Sequence, residues 1–425
     1  MVMNTKKDVL ILCKYFYPEY ITSGRLPYET ALALVDEGVT VGVICGYPKE
    51  YNTNGKVPRQ EVHQDIHIKR LKYLQMQRTS FFGRIVNYFS YTLSVLFQLL
   101  SFHKYEVIMV YSTPPVLPIV AAWASKIFRK KLIFVSYDVY PEIALKTNSI
   151  RKNGSVHKVM NYINKTLFKE VNKVVAISKD MKEMLLKNRT SLQEKQVEVI
   201  PNWYEDRKSS EKDSAFSNRL FKEMEPKENL VISYLGNMGT AQELETLLEA
   251  MKQLKNRSGI KFLFAGHGNQ MERLKKFKTE EQISNLIIFE YLHGDDYKAA
   301  LTISDALIVT LKKELTGLAV PSRTYSFMMA QKPIIALMDL KTEMAKELVE
   351  HNAGYAIEPG EVNELIEAID DLKNHKAERK IKGEHARALF EEKYTKEKGT
   401  AQYVALIKEV LTEENRQAVL KEAER

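Results

Sequence analysis

A chain of 425 residues is too long for one ordinary hydrophobic core, so we expect two or three domains. Its 44% hydrophobic and 28% charged residues are those of an ordinary globular protein. The net charge of +9 favours an anionic partner. Nucleic acid is not expected, because the sequence contains no helix-turn-helix, zinc-finger or aromatic RNA-binding pattern.

The first half of the chain alternates apolar strands with helices. Helical stretches at about 24–37, 84–102, 116–129, 156–170 and 179–188 separate strand-like runs at 8–13, 39–45, 66–71, 106–111, 131–137, 173–177 and 197–200. Near-continuous apolar strands in strict alternation predict a parallel sheet covered on both faces. We therefore predict a doubly wound, Rossmann-like domain over residues 1–204.

Cysteine content and the N-terminus indicate the compartment. Cys13 and Cys45 end apolar runs, which indicates reduced, buried thiols, and nothing resembles metal-ligand spacing. The first residues lack the sequence of a signal peptide. We expect a cytoplasmic protein.

The stretch 81–102 contains one charged residue, Arg84, and allows two interpretations. It is interrupted by polar residues and is too polar for a membrane-spanning helix, which needs about 20 apolar residues. It is either a buried crossover helix or a helix whose outer face enters an anionic lipid surface. The second interpretation would use the basic flanks, which are Lys69, Arg70, Lys72, Arg78, His103 and Lys104.

The chain becomes polar after Pro201 and Asn202, which we interpret as a hinge, and 205–228 is predicted to be a linker. Alternation then restarts, with strands at 230–235, 261–265, 286–289, 306–311 and 333–337 and helices at 241–254, 269–279, 295–303 and 321–331. This pattern predicts a second Rossmann-like domain over 229–385. The charged, helical tail covers 386–425.

A loop and a helix start at 316–323 predict an anion site. Pro321 is expected in the first helical turn, with Ser322 and Arg323 beside it. Free N–H groups at a helix N-terminus and the positive end of its dipole attract anions. Because an apolar strand precedes the loop, the anion would lie outside the carboxyl ends of the strands, where nucleotide diphosphates bind in open α/β sheets.

Seven segments in order resemble the family-four retaining glycosyltransferases, which have the two-domain GT-B fold. They begin at Tyr15, Ser112, Asp138, Val199, Tyr234, Ala265 and Gly317, and the last reads Gly-Leu-Ala-Val-Pro-Ser-Arg before Met-Ala-Gln-Lys-Pro. The resemblance spans nearly the whole chain. It implies an α/β fold in which two Rossmann-like, doubly wound domains face each other across a cleft. It also implies that the C-terminal helices cross back to brace the N-terminal domain.

The resemblance places a nucleotide-sugar donor at the second domain. The implied donor-binding residues are Gly236, Asn237, Gly239, Gly266, Gly317, Leu318, Pro321, Ser322 and Arg323. Glycines permit close approach of the backbone to a phosphate, although a plain tight turn is the alternative for Gly236 to Gly239. His267, where the family often has Asp, is better explained by turn chemistry.

The chain departs from the family pattern in its charged donor contacts. Many members carry an Arg and a Lys just after the first glycine loop, where this chain has Thr240 to Glu245. Leu318 and Ser326 occupy the places of two frequent glutamates, the second of which clamps the ribose. We therefore expect Arg323 to supply the missing positive charge. Glu343 could replace the ribose clamp, although a solvated helix-start residue is the more favoured reading.

The resemblance also places acceptor contacts in the first domain. Tyr17, Gly24 and Arg25 border the loop after the first strand, although Arg25 could equally be a surface helix residue. Asp138 and Glu142 flank the loop after the fifth strand, where a carboxylate is more often a polar site group than a buried structural one. Asp138, with Arg323, is the predicted catalytic residue, and Glu142 is assigned to the acceptor.

The resemblance implies transfer of a sugar from a nucleotide diphosphate, most simply UDP, to a lipid-linked or saccharide acceptor with retention of configuration. The sugar would be an N-acetylhexosamine or related hexose. The chain contains no Asp-x-Asp pair, so we expect no metal and no cofactor beyond the nucleotide sugar. Two alternatives remain open: an inactive glycosyltransferase-like binding subunit and a GT-B nucleotide-sugar epimerase. We expect a cytoplasmic location, with attachment to the inner face of the membrane as an option.

Overall fold

A computed structural model describes residues 7–48, 56–76, 81–206 and 215–423. The strands are β1 (Lys7–Leu12), β2 (Val41–Gly46), β3 (Gln60–His63), β4 (Ile66–Leu71), β5 (Tyr105–Tyr111), β6 (Lys131–Ser136), β7 (Lys173–Ala176), β8 (Val197–Val199), β9 (Leu230–Asn237), β10 (Ile260–His267), β11 (Leu286–Phe289), β12 (Ala306–Thr310), β13 (Ile334–Leu337) and β14 (Gly354–Ile357).

The helices of the described chain are α1 (Thr22–Asp36), α2 (Phe81–Leu96), α3 (Pro118–Phe128), α4 (Glu142–Lys146), α5 (Ser155–Glu170), α6 (Lys179–Asn188), α7 (Ala215–Met224), α8 (Glu245–Gln253), α9 (Met271–Glu280), α10 (Gly294–Ile303), α11 (Arg323–Met329), α12 (Glu343–Glu350), α13 (Val362–Asn374), α14 (Lys376–Lys393) and α15 (Lys396–Ala423). Short 3₁₀ turns lie at Leu99–Lys104, Glu194–Gln196 and Lys313–Leu315.

The chain forms two compact units. The first contains Met1–Asn202, Gly317–Val320 and Lys396–Arg425, and the second contains Trp203–Thr316 and Pro321–Thr395. Each unit has its own sheet, and the predicted α/β fold with two Rossmann-like domains is confirmed.

The sheet of the first unit has the strand order β3-β4-β2-β1-β5-β6-β7-β8. Its neighbours pair in parallel from β4 to β8, whereas β3 pairs antiparallel with β4. The central strand β1 buries Val9 to Leu12 completely, as expected for a parallel sheet with both faces covered. The edge strand β3 was not predicted, because its sequence Gln-Glu-Val-His is short and polar.

The last helix, α15, packs against α1 and β5 within the first unit. It buries Tyr403, Leu406, Ile407 and Val410. Salt bridges accompany this packing: Lys408 Nζ lies 2.6 Å from Glu37 Oε2, and Lys173 Nζ lies 3.0 Å from Glu409 Oε1. The final helix is therefore part of the hydrophobic core of the first unit.

The second unit contains a wholly parallel sheet of order β11-β10-β9-β12-β13-β14. Its core includes Ile232, Phe262, Phe264, Ile308 and Ile335. Strand β14 and the helices around it extend the predicted pattern beyond residue 337. A four-residue strand beginning with glycine gave too weak a signal to be predicted.

The predicted linker over 205–228 is in part helical. Helix α7 lies inside it and packs against α10, with Leu220 and Met224 fully buried. Two apolar residues four positions apart share one face of a helix, and this pair was too short a pattern to stand out among charges. Residues 207–214 of the predicted linker lie outside the described residues.

The predicted long helix over 84–102 is shorter than expected. Helix α2 ends at Leu96, and a 3₁₀ turn covers Leu99–Lys104. Across the described residues, no helix combines the length and the apolar character needed to cross a membrane.

Candidate active site

The carboxyl ends of β9 and β10 meet at two glycines. Gly236 and Gly266 are paired across the two strands, and Gly236 has a φ of +127°. A Cβ atom on Gly266 would overlap the carbonyl oxygen of Gly236. These positions therefore require glycine for backbone reasons.

The loop after β9 differs from the prediction. A helix was expected from residue 241, but α8 begins at Glu245. Two glutamines hold the intervening loop: Gly239 N donates to Gln242 Oε1 at 2.9 Å, and Gln270 Nε2 donates to Gly239 O at 2.6 Å. These side chains satisfy backbone groups that a helix would otherwise bond, so the chain remains non-helical until Leu244.

Arg323 lies over this strand end. Its Nη2 donates to Asn237 O at 2.7 Å, its Nη1 approaches Leu235 O at 3.4 Å, and the guanidinium lies 4.8 Å from the centre of the Tyr234 ring. The side chain is half-buried. A guanidinium has five N–H donors, so these two bonds leave donors for a ligand. The structure thus brings Arg323, Gly236, Asn237 and Gly266 together in the second unit.

Helix α11 begins later than predicted. Its first residue is Arg323 and its N-cap is Ser322, whose side chain makes no capping bond. Pro321 precedes the helix, and its carbonyl accepts a bond from Thr324 N at 3.1 Å. Pro321 is therefore in the entry turn, and Arg323 is in the first helical turn.

Aromatic residues that the sequence reasoning did not assign surround the same strand ends. Tyr291, 47% exposed, lies with its ring centre 4.8 Å from that of His267 and 4.4 Å from that of His293. Burial, and next the positive charges of Arg323 and His293, lower the pKa of His267 below its usual range. Tyr291 and His293 were missed, and their position shortly after β11 was the signal that could have identified them.

The places of the two missing family glutamates are occupied by neutral groups. Ser326 Oγ lies 3.1 Å from the hydroxyl of Tyr297 and donates to Arg323 O at 2.7 Å, while the Leu318 side chain is buried. Glu343 is the first residue of α12 and follows its N-cap, Thr342.

The predicted donor loop is divided between the two units. Gly317, with a φ of +72°, donates its N–H to Asp180 Oδ2 at 3.1 Å, and Leu318 O accepts from Val139 N at 2.9 Å. Asp138 and Ala319 form an antiparallel bridge. Gly317 and Leu318 are therefore grouped with Asp138, whereas Pro321, Ser322 and Arg323 belong to the second unit.

Asp138 lies in the loop after β6, and its backbone is fixed. Ser112 Oγ, at the end of β5, accepts bonds from Tyr137 N at 3.0 Å and from Asp138 N at 3.4 Å. No described residue donates a hydrogen bond to the Asp138 carboxylate or forms an ion pair with it. Burial raises its pKa to about 6, so near neutral pH it can take up or release a proton.

The other predicted acceptor residues have structural contacts. Tyr17 stacks on His63, with ring centres 4.2 Å apart. A Cβ atom on Gly24 would lie 2.5 Å from Glu19 O, which requires glycine there. Arg25 is buried, with its Nε 4.0 Å from Glu29 Oε1. The interpretation of Arg25 as a surface helix residue is therefore wrong.

Both carboxylate oxygens of Glu142 are bonded to Arg189, at 2.6 and 2.8 Å. A bidentate guanidinium neutralises the carboxylate and fixes its orientation. The structure therefore assigns Glu142 a role in holding its own loop.

Two family models match the chain. The model described as Glycosyltransferase Family 4 matches residues 23–207, and that described as Glycosyl transferases group 1 matches residues 216–389. Together they cover every strand of the two sheets except β1. The chain belongs to the family-four glycosyltransferases.

This glycosyltransferase is similar in sequence to WbjE of Pseudomonas aeruginosa, which carries the name of a glycosyltransferase. The two are 26% identical over 286 residues, which are 67% of this chain and 69% of WbjE. WcaI of Escherichia coli, named for colanic acid biosynthesis, is 25% identical over 57% of this chain and 59% of its own length.

The fold is that of solved GT-B glycosyltransferases. Anabaena HepE, crystallised with UDP and glucose, has a TM-score of 0.68 at 16% identity and is matched over 96% of this chain and 100% of its own. WaaG, a glycosyltransferase of lipopolysaccharide biosynthesis, has a TM-score of 0.66 at 13% identity over 93% of this chain and 98% of its own. These likenesses establish the fold.

Proposed function

We propose that this glycosyltransferase moves a sugar from a UDP-linked donor to a lipid-linked or saccharide acceptor, with retention of configuration, in the assembly of a bacterial surface polysaccharide. An N-acetylhexosamine or a related hexose is the proposed sugar. The presence of UDP in HepE supports the nucleotide, and the name of WcaI supports the pathway class.

The observation that carries the proposal is the position of Arg323 over the glycine end of β9. A half-buried guanidinium beside Gly236 and Gly266 offers donors to a diphosphate whose oxygens can approach the bare backbone. The exposed ring of Tyr291 offers a flat surface for a nucleotide base at the same strand ends.

We propose that catalysis depends on electrostatic stabilisation of the leaving diphosphate. Arg323 and the backbone N–H groups of the glycine loop would bind the negative charge that develops as the glycosidic bond breaks. No protein nucleophile and no metal ion is required in this scheme, because the leaving phosphate itself accepts the proton of the attacking hydroxyl. Asp138 would bind a sugar hydroxyl, since its carboxylate has no partner among the described residues.

We also propose that the protein attaches to a membrane surface through α2 and the turn that follows it. Five large apolar side chains are exposed along one side of α2 and the turn that follows it: Phe82, Phe89, Leu93, Phe97 and Leu100. Exposed basic residues lie near them, namely Lys72, Arg84 and Lys104. An apolar stripe with basic flanks fits an anionic lipid surface, and a lipid-linked acceptor would be held there.

Titration of the purified protein with a panel of nucleotides and nucleotide sugars tests the function. We expect UDP to bind more tightly than GDP or ADP. Arg323→Ala should weaken the binding free energy of UDP by roughly 1.5–3 kcal/mol, because a charge-assisted contact is lost. Arg219→Ala is the matched control, because Arg219 also lies over an aromatic ring, that of Phe289. Equal UDP affinity of Arg323→Ala and the parent would reject the donor site.

Product analysis separates the alternatives. Release of UDP with a new glycoside supports transfer, and proton NMR of the anomeric centre reports retention or inversion. Conversion of the nucleotide sugar without any acceptor would indicate an epimerase. Nucleotide binding without turnover on any acceptor fraction would indicate a binding subunit.

A further inference from the structure

One arginine, Arg189, makes hydrogen bonds to the segment that follows Asp138. Arg189, at the end of α6, donates Nη1 to Glu142 Oε1 at 2.6 Å and Nη2 to Glu142 Oε2 at 2.8 Å. Its Nη2 also donates to Tyr140 O at 2.9 Å. A planar guanidinium binds the carboxylate with two parallel bonds and also reaches the carbonyl, a fork geometry that a lysine ammonium lacks.

Residues of α5 also surround the Arg189 side chain and limit its movement. Its guanidinium lies 5.4 Å from the ring centre of Phe168, and Asn164 Nδ2 donates to the same Tyr140 carbonyl at 2.7 Å. The Arg189 side chain is only 9% exposed. The contacts come from α5 and α6, so two helices set the position of the loop between β6 and α4.

The buried pair of Arg189 and Glu142 contributes little to the free energy of folding for the desolvation that it requires. Among the described residues, the buried Nε of Arg189 has no hydrogen-bond partner. Burial of an ion pair removes two charges from water, and an unsatisfied donor adds a further desolvation cost. Apolar side chains of similar volume would often stabilise a fold equally well. A specific loop geometry is the property that this arginine provides and that an apolar replacement would not.

Arg189 and Asp138 line the same cavity of the first unit. The cavity is small and partly open to solvent, and its wall includes Ser112, Phe134, Ser136 and Phe168. It lies at the carboxyl ends of β5 and β6, where ligands of open α/β sheets bind. The Asp138 carboxylate, which has no bond from the described residues, borders this space.

We propose that Arg189 is a positioning residue: through Glu142 and the Tyr140 carbonyl it holds the loop so that the Asp138 carboxylate faces the cavity and accepts a bond from a sugar hydroxyl. This proposal rests on the proposed glycosyl transfer. The sugar ring could belong to the donor or to the acceptor, and both present the same neutral hydroxyl chemistry.

Arg189 acts through geometry in this scheme, because Glu142 neutralises its charge. Burial is the cause of the raised pKa of Asp138, and the phenol of Tyr140 is an electrostatic neighbour. If the loop loses its support, the carboxylate gains contact with water, and its pKa should fall toward the ordinary value of about 3.9.

The test uses the full-length variants Arg189→Lys and Glu142→Gln, with Arg273→Lys as the matched control. Arg273 forms a bidentate pair with Glu245 in the second unit, and this pair is exposed. The pKa of Asp138 is measured by carbon NMR of labelled aspartate, with the resonance assigned from Asp138→Asn. UDP affinity, kcat and the KM values for nucleotide sugar and acceptor are measured in parallel.

We expect both loop variants to lower the pKa of Asp138 by about one unit or more and kcat at least tenfold, while UDP affinity and the control variant remain like the parent. A higher KM for the nucleotide sugar would place the donor sugar in the cavity, and a higher KM for the acceptor would place the acceptor sugar there. Folded variants with the parent's Asp138 pKa and kcat would overturn the proposal. Absence of UDP binding in the parent would reject the proposed donor, while the NMR titration would still decide whether Arg189 positions Asp138.

Discussion

Gly266, near the end of β10, and Gly239, in the loop after β9, differ in what an added methyl group would meet. At Gly266 the nearest atom is the backbone carbonyl of Gly236, whereas at Gly239 the nearest atoms are the ends of the Asn237 and Gln242 side chains, at 3.0 and 3.3 Å. Side-chain ends can move, and a paired strand cannot. The two glycines therefore have different reasons to be glycine.

We expect Gly266→Ala to destabilise the second unit by roughly 3–5 kcal/mol, because two paired strands must separate. Gly239→Ala should leave the fold nearly unchanged, and Gly239→Val should lose more nucleotide affinity than Gly239→Ala, since a branched side chain obstructs a phosphate. Urea denaturation and UDP titration measure the two effects. Equal UDP affinity of Gly239→Ala and Gly239→Val would show that this loop is only a turn.

The raised pKa of Asp138 predicts a pH dependence of stability. The pKa of Asp138 is about 6 in the native state and about 3.9 in the unfolded chain. The native state therefore binds this proton more tightly. The stabilisation from this proton is therefore complete below about pH 4 and is lost as pH rises through about 6. Asp138→Asn does not ionise, so its unfolding free energy should rise relative to that of the parent over that range. Denaturation at several pH values checks this, and a constant difference would contradict the raised pKa.

At the scale of elements, α2 is the helix for which the sequence left two interpretations open. Its buried side packs on the sheet: Asn87 and Tyr91 are completely buried, and the Tyr91 hydroxyl donates to Cys13 O at 2.6 Å. Its other side exposes the apolar stripe, with Phe97 and Leu100 each 78% exposed. The helix is thus both a crossover and a candidate lipid contact.

The basic flanks are not all available to lipid. Arg70 is buried, and its Nη2 lies 2.6 Å from Glu61 Oε1 and 2.9 Å from Tyr17 O, so its predicted contact with headgroups is wrong. Lys69 donates to Gln98 Oε1 at 2.6 Å. Arg78 lies outside the described residues. The apolar stripe, rather than these three cations, is the feature to change in an experiment.

We expect the triple variant Phe89→Ser, Leu93→Ser, Phe97→Ser to bind vesicles of phosphatidylglycerol and phosphatidylcholine at least tenfold less tightly, about 1.4 kcal/mol, because apolar area no longer enters the bilayer. Binding of the parent should also weaken with added salt. The control is Ile127→Ser, Val159→Ser, Tyr162→Ser, which removes exposed apolar residues from α3 and α5. Vesicle co-sedimentation measures both, and equal losses in the two triple variants would reject a specific lipid face.

At the scale of the whole molecule, the division into units does not follow chain order. The first unit takes in residues 317–320 and the last helix, although both are remote in sequence from residues 1–202. Hydrophobic burial explains the return of α15, because Tyr403, Ile407 and their neighbours are covered in the first unit. The stability of that unit therefore depends on the C-terminal residues.

Ile407→Ala should destabilise the first unit by about 2–5 kcal/mol, the cost of a large-to-small change in a core. Gln402→Ala, an exposed change on the same helix, should stay within about 0.5 kcal/mol of the parent. Hydrogen exchange of peptides from α1 and β5 localises the effect. Faster exchange confined to peptides of the second unit would show that α15 does not support the first.

The sequence by itself determined the parallel strands of the two sheets and the family. Continuous apolar strands alternating with helices leave few other ways to cover both faces of a sheet, and the ordered motifs from Tyr15 to Pro333 carried the resemblance. The residues at strand ends, such as Gly236 and Asp138, could be predicted because parallel topology brings those ends to one edge.

Only the tertiary structure decided what each site residue contacts. The partners of Glu142, Arg70 and Arg25 lie on other elements of the fold, and no local pattern encodes a bidentate pair with Arg189, 47 residues away. The late start of α8 and the buried face of α7 likewise depend on side chains supplied by other segments. Burial and pairing are properties of the folded chain, and they separated the held carboxylate of Glu142 from the carboxylate of Asp138, which received no partner among the described residues.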